Sequence, residues 1–142
     1  MSENKIPKTV VGVLVFKDGK VLLGKRKSGD GAEEYAGPGG SLKFGETLEG
    51  CVERKVKEET AMSVKNIKIV ALTNALHWNN SHYIDIEAIA DWESGEPQLT
   101  ELAMMESWGW YDTNNLPSPL IIGDKNGLEA LVTNKFYFGT SR

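Results

Sequence analysis

Apolar and polar positions change their period along this chain, and the changes mark its elements. Thr9-Val-Val-Gly-Val-Leu-Val-Phe16 is rich in β-branched residues and predicts a strand. Asp18-Gly19 is a strong hairpin signal, and Val21-Leu22-Leu23-Gly24-Lys25-Arg26 predicts the returning strand. Both contain long apolar runs, so both should be covered on two faces. Ser28 to Tyr35 is polar, contains glycine and has no period, which predicts a loop. Pro38-Gly39-Gly40 predicts a turn rather than mid-helix or mid-strand. From Leu48 the apolar positions Leu48, Cys51, Val52 and Val56 follow helical spacing, with Thr47 placed as N-cap.

After that helix a strand is expected from about Lys68 to Leu76, a turn at His77-Trp78-Asn79-Asn80, and a strand from Tyr83 to Ala90. Alternation in the last puts Ile84 and Ile86 on one face, and Asp85 and Glu87 on the other. Ser94-Gly95-Glu96-Pro97 breaks the chain, and a loop holding Glu101 and Glu106 follows. Ser107 to Tyr111 predicts a short strand whose Trp108 and Trp110 share a face. Asp112 to Pro119 predicts a turn region. Leu120 to Tyr137 predicts a terminal helix, weakened by Gly123 and Gly127 and best defined from Gly127 to Asn134.

Composition narrows the classes. A chain of 142 residues without repeats or an interdomain linker suits a single domain over 1–142 with a real core. No apolar run approaches the roughly 20 residues of a membrane span, and Ser2-Glu3-Asn4-Lys5 lacks a secretory apolar stretch. The single cysteine, Cys51, excludes an internal disulfide and a cysteine-rich zinc site. It lies on the apolar side of the helix, so core packing is its expected role. These features predict a cytoplasmic protein with no membrane partner. A net charge of -4 gives no basic footprint for polymeric nucleic acid, although a metal could bring a polyphosphate to an acidic site. His77 and His82 lack further ligands for zinc and are expected in surface or loop roles.

The chemistry concentrates on the polar side of the helix, which carries Arg54, Glu58 and Glu59. Arg54 with Glu58 and Lys55 with Glu59 could be ordinary i,i+4 surface pairs. Alternatively, adjacent carboxylates converging with carbonyls of a glycine loop make a hard-oxygen site of the kind magnesium takes. The full spacing separates these readings. It resembles the Nudix box, G-x5-E-x7-R-E-U-x-E-E-x-G-U with U a bulky aliphatic, over residues 40–62. Gly40, Glu46, Arg54, Val56, Glu58, Glu59 and Met62 fall on its positions. Lys55 stands where the family has Glu, and Ala61 where it has Gly. The Lys55 departure touches catalysis rather than fold, because an ammonium offers no acceptor.

The likeness extends over roughly residues 8–120, through the Pro-Gly-Gly entry, the Gly-Glu-Pro break and the tryptophan strand. It is similar to small MutT-type nucleoside-triphosphate diphosphatases, through Gly24-Lys-Arg-Lys27, His82-Tyr83, Glu96-Pro97 and Glu106-Ser-Trp108. The resemblance implies an α/β/α sandwich with a mixed β-sheet. It implies hydrolysis of a small nucleotide, a nucleoside diphosphate linked to another group, by a metal-activated water. The expected metal ligands are the Gly39 carbonyl, Glu58, Glu59 and Glu101, holding Mg²⁺ or Mn²⁺; Glu101 could equally be an exposed loop glutamate. Arg54 would orient the carboxylates, and Glu46 would tie the loop to the helix. A (d)NTP, plain or modified, would give monophosphate and pyrophosphate. A dinucleotide or nucleotide sugar, or a catalytically weak nucleotide sensor, are the alternatives.

Outside the box, Lys25, Arg26 and Lys27 are either a solvated strand end or a positive patch beside phosphates. Tyr35 is either a base-facing aromatic or a plug on the sheet. Trp108 is a substrate-side candidate or, with Trp110, a core residue. Trp78, Tyr83 and the apolar strand around them could form a self-complementary patch, which predicts a homodimer.

Overall fold

A computed structural model describes residues 5–76 and 81–140. The expected turn at residues 77–80, with His77 and Trp78, lies outside the described residues. In chain order the elements are β1 (Lys8–Lys17), β2 (Lys20–Lys25), β3 (Tyr35–Ala36), β4 (Gly39–Ser41), α1 (Leu48–Thr60), β5 (Ser63–Leu76), β6 (His82–Ser94), β7 (Gly109–Asp112), α2 (Ile122–Thr133) and β8 (Tyr137–Thr140). The sheet runs β3-β2-β1-β6-β5-β8, with β4 against β1 and β7 against β2. β1 pairs parallel with β6, and β5 parallel with β8, while the other pairings are antiparallel, so the sheet is mixed.

The long apolar runs do cover both faces. Val11, Val13 and Val15 of β1 pack with Cys51, Val52 and Val56 of α1. Leu14, with Val21 and Leu23 of β2, packs on the other face against Leu128 of α2 and Leu120. The result is the α/β/α sandwich. Full burial of each valine or leucine contributes about 1.5–3 kcal/mol, so these two layers hold the helices to the sheet. Thr47 caps α1, its hydroxyl accepting from the Gly50 N–H at 2.9 Å. Ala61 ends the helix in the left-handed conformation, φ 65°, where a glycine would be easier.

Four expectations are corrected. Pro38-Gly39-Gly40 does not simply turn, since Gly39 and Gly40 enter β4 and pair with Gly12 and Val11. A Cβ on Gly39 would stand 2.7 Å from the Val11 carbonyl, so glycine here permits close backbone approach. β5 begins at Ser63 rather than Lys68, because register shifts between Lys65 and Lys68 and between Ile69 and Ala71 disturb its alternation. β7 begins at Gly109, leaving Trp108 just ahead of it. The terminal helix stops at Thr133, where Asn134 turns left-handed, and Tyr137 starts a strand beside β5.

Candidate active site

α1 presents its polar side to the β4 loop, and the box residues meet there. Arg54 grips Glu46 with both prongs, Nε to Oε2 at 2.7 Å and Nη2 to Oε1 at 3.0 Å. The same guanidinium donates to the Ser41 carbonyl at 3.1 Å and to Glu58 at 3.3 Å. Glu46 also accepts from the Lys43 N–H at 3.0 Å. Arg54, with help from that N–H, holds the Glu46 carboxyl down at about 2. Loop and helix are thus tied by charge-assisted bonds that survive well into acid.

Lys55 lies between the paired carboxylates. Its Nζ is 3.2 Å from Glu58 Oε1 and 3.1 Å from Glu59 Oε2. Its methylenes pack on Gly40, where a Cβ would stand 2.6 Å from Lys55 Cε. Burial works against the ammonium, but Glu59, Glu58 and Glu101 together raise its pKa. Glu59 is buried at 8% exposure and accepts from the Gly39 N–H at 3.3 Å. Burial raises its pKa, outweighing Lys55 and that N–H. Glu58 is more exposed, and Lys55 and then Arg54 lower its pKa.

Lys55 and Glu59, but not Glu46, Arg54 or Glu58, line a cleft of about 390 Å³. Gly39, Lys55, Glu59, Glu101 and Arg26 line it. Arg26 is steadied by an Nε bond to the Asp30 carbonyl at 3.0 Å. The other substrate-side candidates sit elsewhere. Lys25 pairs with Glu33 at 3.2 Å. Tyr35 meets Tyr111 edge-on, with centroids 6.1 Å apart. Trp108 packs on the α1-side core and donates its indole N–H to the Glu59 carbonyl at 3.2 Å, so it supports the carboxylate's backbone. His82 Nε2 is 2.6 Å from Asn74 Oδ1.

The oxygen donors of Gly39, Glu58, Glu59 and Glu101 suit a hard divalent cation. Glu58 and Glu59 already share one positive charge, that of Lys55, which shows that the pair can hold a cation in common. Among the described residues no three acidic, histidine or cysteine side chains gather as a ready-made metal cluster. A metal would therefore draw on backbone and substrate oxygens as well.

A second carboxyl group set, to which the sequence reading gave no role, forms another wall of the cleft. Asp85 and Glu87 of β6 and Asp124 of α2 all line it. Glu87 and Asp124 are 2% and 3% exposed. Asp124 accepts from the Gly37 N–H at 2.7 Å. Burial and then Asp124 raise the Glu87 pKa well above its ordinary range, and burial raises that of Asp124 as well. Burial, then Asp124, pushes Asp85 up to about 7. The available signal was two acids alternating inside an apolar strand.

Comparison with known proteins agrees with this architecture. The NUDIX domain family matches residues 6–131. An oxidized purine nucleoside triphosphate hydrolase of Danio rerio is 30% identical over 106 residues, 74% of this chain and 66% of that protein. An ADP-ribose pyrophosphatase of Methanocaldococcus jannaschii is 34% identical over 112 residues, 78% of this chain and 65% of that protein. The chain thus spans just under two thirds of both relatives. The crystal structure of a MutT NUDIX hydrolase from Burkholderia pseudomallei superposes with TM-score 0.82 at 29% identity, covering 87% of this chain and 97% of that one. The box geometry, the sandwich and these likenesses lead to one conclusion: the chain belongs to the Nudix family, as a MutT-type member.

Proposed function

We propose that the chain is a metal-dependent hydrolase of a nucleoside diphosphate linked to another group. Its proposed substrate is a (d)NTP, plain or modified, cleaved to monophosphate and pyrophosphate. The observation that supports this most is Glu59 beside Gly39 on the wall of a cleft of nucleotide size, with Glu58 joined to it through the shared Lys55. Mg²⁺, or Mn²⁺, held by the Gly39 carbonyl, Glu58, Glu59 and Glu101, would supply the positive charge that phosphoryl chemistry needs. The chain's own residues do the positioning. Arg54 locks Glu58 and the loop, the Gly39 N–H orients Glu59, and Trp108 fixes the backbone beneath Glu59. Arg26 offers a guanidinium on the cleft wall for phosphate oxygens. Glu101 faces Lys55 and Glu59 across the cleft and is the acceptor proposed for the proton of the attacking water. A cytoplasmic homodimer is the form proposed for it.

One observation favours a second reading, a catalytically weak nucleotide sensor: Lys55 already neutralises the pair that would hold the metal. One panel separates the two. Release of pyrophosphate and of phosphate is followed for nucleoside triphosphates, dinucleotides and nucleotide sugars, with Mg²⁺ or Mn²⁺, at neutral and alkaline pH. The hydrolase reading expects pyrophosphate from triphosphates, loss of turnover in EDTA, and a roughly hundredfold or larger loss in Glu59→Gln. Undiminished activity in EDTA would sink it, and nucleotide binding without turnover would select the sensor.

A further inference from the structure

The charge-inverted residue of the box sits among the donors proposed for a divalent ion. The Lys55 ammonium contacts Glu58 Oε1 and Glu59 Oε2, and Glu101 is close enough to add its attraction. Gly40 makes this reach possible. A Cβ there would stand 2.6 Å from Lys55 Cε and 3.1 Å from Nζ, so the bare backbone of β4 lets the lysine lie across it, next to Gly39. The contact is not an open surface pair: the side chains of Lys55 and Glu59 are 15% and 10% exposed. Pairs on a solvated helix face hold their geometry weakly, whereas a covered one keeps its charge in place.

The bonding count leaves this ammonium something to offer the cleft. Arg54 already donates to both Glu58 oxygens, and the Gly39 N–H to Glu59 Oε1. An ammonium has three donors. Two go to Glu58 and Glu59, and no acceptor among the described residues takes the third. Among the described residues, Arg26 and Lys55 are the only cationic side chains that line the cleft, and its other charged groups are acids. A polyphosphate that enters without metal is repelled by those acids and must be received by one of these two cations. We propose that Lys55 is a tethered resident cation that binds a phosphate oxygen of the nucleotide directly, so that the cleft takes up nucleoside triphosphates without a divalent metal. Glu58 and Glu59 hold the ammonium in position, and the phosphate supplies its third contact. Lysine suits the task, because its compact charge and rotatable donors follow whichever oxygen arrives. The inference rests on the preceding reading only in placing a nucleotide in this cleft.

The test is run in EDTA, so it does not depend on turnover. Binding of non-hydrolysable triphosphate analogues of the four common bases, and of the matching nucleosides, is measured by calorimetry. At least one triphosphate should bind roughly tenfold or more tightly than its nucleoside, as a hydrogen bond to a charged group implies. Lys55→Met should remove most of that difference while leaving nucleoside binding within about twofold, and Lys55→Arg should retain it within about threefold. A lysine with a merely structural role would move triphosphate and nucleoside together. Thermal melting checks folding, and Lys55→Gln, which can still donate to Glu59, replaces Lys55→Met if the latter melts early. Equal binding of triphosphates and nucleosides by the unaltered chain would overturn the proposal without any variant. So would a triphosphate preference untouched by removal of the Lys55 charge. Hydrolysis with Mg²⁺ but no triphosphate binding in EDTA sinks this proposal alone. Metal-free binding that depends on Lys55, with no hydrolysis under either metal, leaves it standing and sinks the hydrolase reading.

Discussion

Lys55 is the residue on which catalytic strength turns. Its ammonium reaches both carboxylates of the pair, as its spacing from Glu58 and Glu59 implies. At the roughly 4 Å of a typical contact and an effective dielectric near 20, such an attraction is about 4 kcal/mol before desolvation and entropy are subtracted. That competes with a weakly held metal, though not with one gripped by pyrophosphate as well. Lys55→Glu should therefore raise turnover and lower the Mg²⁺ concentration for half-maximal activity, and a calorimetric titration should find tighter Mn²⁺ binding. No change in any of the three would clear Lys55 of the handicap. Spacing alone made this contact legible, whereas the tie of Glu46 from loop to helix was legible only through the family resemblance. Trp108 was not legible in the same way, because its bond to the Glu59 carbonyl depends on how a distant loop docks on α1. Lys25 shows the converse: a basic strand end next to the right loop, yet turned to Glu33.

At the scale of elements, β6 and α2 carry an unusual cost. Asp85, Glu87 and Asp124 hold protons in the folded state that the unfolded chain would release, so the folded state binds more protons between about pH 4 and 7. Stability should accordingly fall as pH rises through that window, opposite to the contribution of salt-bridged carboxylates. Glu46 and Glu58, whose pKa values are lowered, act at more acid pH and leave the window clear. Asp85 is faced by Asp124 from α2 and by Glu87 from its own strand. Asp85→Asn should flatten the decline and stabilise the protein at pH 8 by on the order of 2 kcal/mol. Urea unfolding at pH 5 to 8 reads both, and stability climbing across that range would refute the account. The alternation of β6 was plain in the sequence. Its burial on the polar face was not, because the glycines that admit those acids lie on β1 and, some forty residues away, on α2. Those of α2 made the terminal helix look weak, and β8 stayed hidden because four residues give little period to read.

The molecule as a whole gathers its cleft from β1, the β4 loop, α1, β6, α2 and the loop of Glu101. Box spacing revealed the α1 part and Gly40 of β4, since the rest is brought together by strand order. Assembly is a further question at this scale. Tyr83 faces the cleft, with its hydroxyl 2.8 Å from Asp30 Oδ2, so the expected self-complementary patch loses one of its two aromatics; Trp78 lies outside the described residues. β8 ends the described pairing path and carries exposed Tyr137 next to exposed Phe136. A strand edge left unpaired among the described residues favours a second copy. Light scattering should give the mass of a dimer, and Phe136→Ser with Tyr137→Ser should shift it toward monomer; a monomer mass for the unaltered chain would remove the idea. Finally, the lone thiol of Cys51 is fully buried beneath α1, and burial raises its pKa. It becomes a clock for how often that helix lifts from the sheet. A thiol reagent can label it only through opening, so labelling should be slow, slower still with metal and nucleotide bridging α1 to the β4 loop, and fast only when the helix has let go.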